Sequence, residues 1–190
     1  MRNSFLKNAV RVSHLIIKSL INEKDIVVDA TCGKGNDTLF LAKLVGKEGK
    51  VYAFDIQKEA IDITSQKLAQ NNLSDRVILI NDSHEKIDEY IKEPINFAMF
   101  NLGYLPGSNS RLVTLPHTTL KAVEKILALL KKGGLITIVF YLGHEGGPEE
   151  LDLVRSYLIN LPQEEFEVSQ ISFINQVNNP PLLITVQKLK

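Results

Sequence analysis

The sequence holds a single cysteine, Cys32, which excludes an internal disulfide and fits a reducing compartment. Net charge is missing as well. Its 22 Lys and Arg residues balance 22 Asp and Glu, so holding nucleic acid by bulk positive charge is excluded and any basic surface must be local. No apolar run approaches the roughly 20 residues of a membrane span; the stretch from Leu135 to Leu142 is far too short and is interrupted by Thr. No His or Cys pair has metal-ligand spacing. No signal peptide opens the chain, no repeat recurs and no low-complexity linker divides it, so the expectation is one cytoplasmic domain over residues 1–190, without metal or membrane.

What charge there is lies unevenly. Through Lys24 five basic residues (Arg2, Lys7, Arg11, Lys18, Lys24) face one acid, whereas from Gly143 onward seven acids face three bases. Arg2, Lys7 and Arg11, with His14 on the same expected helix (residues 5–21), are candidate contacts to an RNA partner. The alternative is a solvated helix face, with His14 packed among Val10, Ile17 and Ile21.

Five short, nearly continuous apolar runs (26–30, 50–55, 76–81, 96–100 and 135–141) read as strands buried on both faces. Between them apolar residues recur at helical spacing, as at Leu120, Val123, Leu127 and Leu130, then at Leu151, Val154, Leu158 and Leu161. Basic, Gly-containing stretches at 46–49 and 131–134 read as helix stops before a strand. Alternating strands and helices predict a parallel sheet with right-handed crossovers. The last two runs, 166–175 and 182–189, are joined by a segment too short for a crossover, so they should pair antiparallel. This is an α/β fold with a mostly parallel seven-stranded sheet, helices on both faces and a C-terminal antiparallel hairpin. That architecture resembles the Rossmann-like methyltransferases.

The first strand runs into Asp29-Ala-Thr-Cys-Gly33-Lys34-Gly35-Asn36-Asp37-Thr38. Glycines there let the backbone turn sharply towards a ligand, and the following helix offers unpaired N–H groups. A dinucleotide fingerprint would need a third Gly where Thr38 stands. In the Rossmann-like methyltransferases that this architecture resembles, an acid four residues before such a glycine helps to anchor the methionine part of S-adenosylmethionine, so the resemblance implies that role for Asp29 and favours a methyl donor over NAD. Asp55 ends the second strand, where a carboxylate can accept two ribose hydroxyls. Asp82 and Ser83 follow the third, with Gln57 and His84 placed to flank an adenine; Asp82 and Ser83 could instead cap a short helix.

The fourth strand ends in Asn101-Leu-Gly-Tyr104-Leu-Pro-Gly107. An Asn oxygen and the carbonyl of Leu102 could hold the two N–H bonds of an amine so that its lone pair faces a methyl donor, with Tyr104 stacking on a base. Otherwise this is a Gly-Pro turn plugged by Tyr104. His144, in the Gly-rich stretch after the fifth strand, could accept a proton or touch a phosphate, or be a turn residue. Cys32 is read as small packing.

Together with Phe54-Asp-Ile-Gln57, Tyr141-x-Gly-His-x-Gly-Gly-x-Glu-Glu150 and Asn-x-Pro-Pro181, these motifs resemble the small bacterial "putative rRNA methylases" over nearly the whole chain. The sequence departs from that pattern at Lys34 and at Ser108-Asn109. The resemblance implies S-adenosylmethionine-dependent methylation of the aminomethyl group of 5-aminomethyl-2-thiouridine at the tRNA wobble position, with the anticodon stem-loop as partner. It places 33–38, Asp55, Gln57, Asp82, Ser83 and His84 at the cofactor, and Asn101 and Tyr104 at the catalytic edge. An rRNA or small-molecule amine acceptor, an NAD-dependent oxidoreductase and a non-enzymatic cofactor-binding module are the competing readings, and a homodimer is compatible with all.

Overall fold

A computed structural model of the protein describes residues 6, 8–103, 114–143 and 146–190. The first helix, α1 (Ala9–Leu20), is capped by Asn8, whose side-chain oxygen accepts from the Arg11 N–H. There follow β1 (Ile26–Asp29), α2 (Asn36–Leu44), β2 (Lys50–Phe54), α3 (Lys58–Gln70), β3 (Val77–Ile80) and the short α4 (Ile87–Tyr90). Then come β4 (Ile95–Asn101), α5 (Pro116–Leu129), β5 (Leu130–Phe140), α6 (Gly147–Leu158), β6 (Phe166–Ile171) and β7 (Leu182–Lys188).

The seven strands form one sheet in the order β3-β2-β1-β4-β5-β7-β6. As expected, β1 to β5 are parallel and β6 pairs antiparallel with β7; β7 also runs antiparallel to β5. The continuous apolar runs resolve into two alternating sets. Val27, Val51, Phe97, Met99 and Leu135 pack with Ile17 of α1, Leu41 of α2 and Leu68 of α3. Val28, Phe54, Ala98, Phe100 and Ile136 pack with Val123 and Ile126 of α5 and Val154 and Leu158 of α6. Apolar surface buried on both faces is worth about 25 cal/mol per Å², so neither set can turn to water without a large loss.

Two boundaries differ from expectation. The glycines at 131–134 do not stop α5: the backbone is already extended at Leu130, which is buried and pairs with Ile95. The ladder then shifts register, and Gly133, at φ +79°, sits in that irregularity. Burying Leu130 in the core takes precedence over a left-handed cap. β6 ends at Ile171 rather than continuing to 175. Its last partner is Leu183, and beyond Leu182 the facing residues are Pro180 and Pro181, which have no N–H to donate.

Candidate active site

In this strand order the chain leaves β1 in one direction to β2 and β3, then returns on β1's other side as β4. The carboxyl ends of β1 and β4 therefore flank the crevice where ligands bind in open α/β sheets. A cavity of about 940 Å³ opens there. Its floor is the turn after β1, where the Cys32 N–H donates to the Phe54 carbonyl and the Gly35 N–H to the Cys32 carbonyl. Gly35 has φ +72°, and a Cβ there would lie 2.7 Å from Thr64 Oγ1, so only glycine closes this turn without strain.

Asp55 clamps the same turn. Its Oδ2 accepts from the Gly33 N–H at 2.8 Å and its Oδ1 from the Gln57 N–H at 2.9 Å. Burial raises its pKa, and the two backbone donors pull the other way. Lys34, Asn36 and Gln57 also line the cavity. Asn36 Oδ1 and the Lys34 carbonyl accept from Lys67, which ties the loop to α3.

Three further residues expected at the cofactor, Gly35, Thr38 and Asp29, form the turn beneath the cavity. Gly35 packs on Thr64, and Thr38 Oγ1 donates to Asp29 Oδ2 at 2.6 Å. Asp29 is 1% exposed, and its Oδ1 takes the Thr31 N–H. Asp29 thus braces the loop through Thr38 and the Thr31 N–H. Burial and then the nearby Asp37 push its carboxyl from 3.8 up to about 7.

That shift has a sign. Between about pH 4 and 7 the folded protein holds a proton that the unfolded chain releases, so stability falls as pH rises through this window. Asp29→Asn should gain on wild type as pH rises, its advantage growing by roughly 2–3 kcal/mol from pH 5 to pH 8 in the cofactor-free protein. Thermal unfolding at the two values checks this; a difference independent of pH would contradict it.

Asp82, Ser83 and His84 all reach the cavity. The Asp82 carboxylate accepts from the Ser83 N–H, the Tyr90 hydroxyl at 2.8 Å and Lys86 at 2.9 Å; Lys86, then Tyr90, hold it below the usual carboxylate range. Ser83 Oγ accepts from the Glu85 N–H, the capping role its sequence position allowed. His84 is buried against Phe100, and since the Ala30 carbonyl can only accept, Nδ1 carries the proton of their 3.0 Å bond. Nε2 is then a buried acceptor with no partner among the described residues. Burial lowers the pKa of His84, which keeps the ring neutral and that lone pair available.

At the other end of the cavity the Asn101 N–H donates to Thr31 Oγ1 at 2.8 Å, locking β4 onto the β1 turn. The Asn101 Nδ2 lies 3.3 Å from Asp37 Oδ2, and its Oδ1 is buried with no partner among the described residues. His14 Nε2 meets the second oxygen of Asp37 at 2.7 Å, while its ring stacks 4.0 Å from Phe40. His14 is therefore packed and hydrogen-bonded, as one of its two readings had it, and it also lines the cavity. Arg11 lines it too, and among the described residues no carboxylate pairs with its side chain. Arg2, Lys7, Tyr104 and His144 lie outside the described residues. Cys32 is buried, its thiol pKa pushed up by burial and by Asp29, consistent with packing rather than nucleophilic use.

Glu150 carried a signal that went unread. It is 1% exposed and accepts from the hydroxyls of Thr114 (2.9 Å) and Thr119 (2.6 Å), joining α6 to the segment that enters α5 along the cavity. A carboxylate four residues before Val154 and eight before Leu158 lies on the buried face of α6, and such a charge needs partners.

Residues 51–187 match the family described as "Putative rRNA methylase". The chain belongs to this rRNA methylase family. It is 41% identical over 192 residues, 96% of this chain and 70% of the relative, to the chloroplastic tRNA (mnm(5)s(2)U34)-methyltransferase of Arabidopsis thaliana. The structure of a "putative rRNA-methylase" from Clostridium thermocellum superposes with a TM-score of 0.94 at 48% identity, covering 97% of this chain and 99% of that one. A "putative methyltransferase" from Streptococcus mutans, solved in complex with SAH, gives 0.89 at 42% identity over 97% and 99%.

This rRNA methylase family member is an S-adenosylmethionine-dependent methyltransferase. The residues present fit the cofactor. Asp55 would take the ribose hydroxyls, and the orphaned Nε2 of His84 is an acceptor that an adenine amino group can satisfy. When bound, S-adenosylmethionine supplies an electrophilic methyl group on a sulfonium. Among the described residues no group of three or more His, Cys, Asp or Glu could hold a metal ion, and no helix is long and apolar enough to cross a membrane.

Proposed function

We propose that the protein methylates the aminomethyl nitrogen of 5-aminomethyl-2-thiouridine at the wobble position of tRNA, giving 5-methylaminomethyl-2-thiouridine. The observation that carries this is the Asn101 side chain: a buried oxygen without a partner among the described residues, in the wall of the cavity that also holds Asp55 and His84. An unpaired buried acceptor costs on the order of 1–3 kcal/mol, and an N–H donor from the substrate removes that cost. The chain's likeness to a tRNA (mnm(5)s(2)U34)-methyltransferase supports the same acceptor.

In this reading Asn101 accepts one N–H of the amine and the carbonyl of Leu102 the other, leaving the nitrogen lone pair directed at the methyl carbon. Rate then comes from alignment rather than from covalent catalysis. Nucleoside mass spectrometry of tRNA from cells with and without the protein tests it directly. Loss of the methylaminomethyl nucleoside, with its aminomethyl precursor accumulating, is expected. A missing methyl group in rRNA, or none in any RNA, would move the acceptor to rRNA or to a small amine.

The anticodon stem-loop would lie across the N-terminal helix, where Arg11 lines the cavity and Arg2 and Lys7 precede it in sequence. With no net charge to add, RNA affinity should show a modest salt dependence, each phosphate contact contributing roughly −0.7 to −0.9 to the log-log slope. A triple alanine variant of Arg2, Lys7 and Arg11 should bind weakly with a flatter slope in a salt titration. Unchanged binding would make that segment a solvated face.

A further inference from the structure

Asp37 is a carboxylate whose side chain is 8% exposed, placed in the first turn of α2 between two partners from distant parts of the chain. One oxygen is held by His14 of α1, the other faces the Asn101 amide at the end of β4. A carboxylate only accepts, so the Asn101 NH2 must face Asp37, and the amide oxygen is forced to the opposite side. Flipping that amide would set oxygen against oxygen. The 2.7 Å contact needs a proton between His14 and Asp37, which the imidazole Nε2 supplies, and the stack on Phe40 fixes the plane of the ring.

We propose that His14 and Asp37 are positioning residues for the methyl acceptor: His14 fixes Asp37, and Asp37 fixes Asn101 with its oxygen presented to the amine. This rests on the function proposed above and deepens it, by making α1 part of the active site. Substrate selection follows from the same geometry. An oxygen locked as acceptor favours a methyl acceptor with N–H or O–H bonds to give, and it offers nothing to one that has no such donor.

The test has two arms. In the first, the Asn101 side-chain amide is followed by 15N NMR in wild type, His14→Phe and His14→Gln, with its resonances assigned by their loss in Asn101→Ala. His14→Phe keeps a ring for Phe40 but removes the donor, and His14→Gln keeps a donor and removes the ring. The Asn101 resonances should move in His14→Phe and largely return in His14→Gln; no movement in His14→Phe overturns the proposal.

In the second arm, an anticodon stem-loop carrying 5-aminomethyl-2-thiouridine is methylated under saturating cofactor. His14→Phe should lower kcat by about tenfold with KM and calorimetric S-adenosylmethionine affinity nearly unchanged, and His14→Gln should recover most of it. An undiminished kcat in His14→Phe overturns the positioning role. If wild type leaves this RNA unmethylated while the NMR response is present, the positioning device stands and the assigned substrate falls.

Discussion

Asn101→Ala is expected to lower kcat at least a hundredfold, on the order of 2.7 kcal/mol of transition-state alignment, while S-adenosylmethionine affinity hardly changes. The protein should still fold. The bond that locks β4 to the turn after β1 uses the backbone N–H of Asn101, which alanine keeps, and the deleted oxygen has no partner among the described residues. An alkylammonium, with a reference pKa of about 10.4, has no lone pair to react, so activity should also climb with pH across the neutral range as the free amine grows. Single-turnover rates of wild type and variant from pH 6 to 9 measure both effects. A variant with full kcat, or a pH-independent chemical step, would move the catalytic edge away from Asn101 and make His144 the next residue to replace.

Asp55→Ala should weaken S-adenosylmethionine binding by on the order of 1.5–3 kcal/mol, because a charged acceptor for two hydroxyls disappears. Part of that loss would come from the protein itself, since Asp55 also holds the Gly33 and Gln57 N–H groups. Asp55→Asn separates the contributions: it retains one acceptor oxygen for the turn but loses the charge, and its affinity should fall between wild type and alanine. Calorimetry on the three proteins decides, and equal affinities would remove Asp55 from the cofactor site.

The parallel strands and the antiparallel pairing of the last two were legible because they depend on local pattern, apolar runs buried on two faces and a connection too short for a crossover, whereas the order of the strands in the sheet was not. The cofactor turn was legible for the same reason, its glycines and acids lying within ten residues. What could not be read were contacts across long stretches of chain. Asn101 meets Asp37 from 64 residues away and Thr31 from 70, and His14 reaches Asp37 only because α1 packs on the same face as α2. The burial of Asp29 was equally hidden, since the motif that names it is the same whether its carboxylate lines the cavity or braces Thr38. Glu150 was readable in principle, as a charge at core-facing helical spacing.

The placement of β7 bears on how the chain is made. β6 is synthesised before β7, yet in the finished sheet it touches only β7, while β7 joins it to β5. Until residues 182–188 leave the ribosome, β5 shows an unpaired apolar edge and β6 has nothing to pair with. Leu183, Ile184 and Val186 are all buried, so the late strand completes the core as well as the ladder. Folding of this half must wait for translation of β7, and a stalled or truncated nascent chain would be prone to association through the open edge of β5.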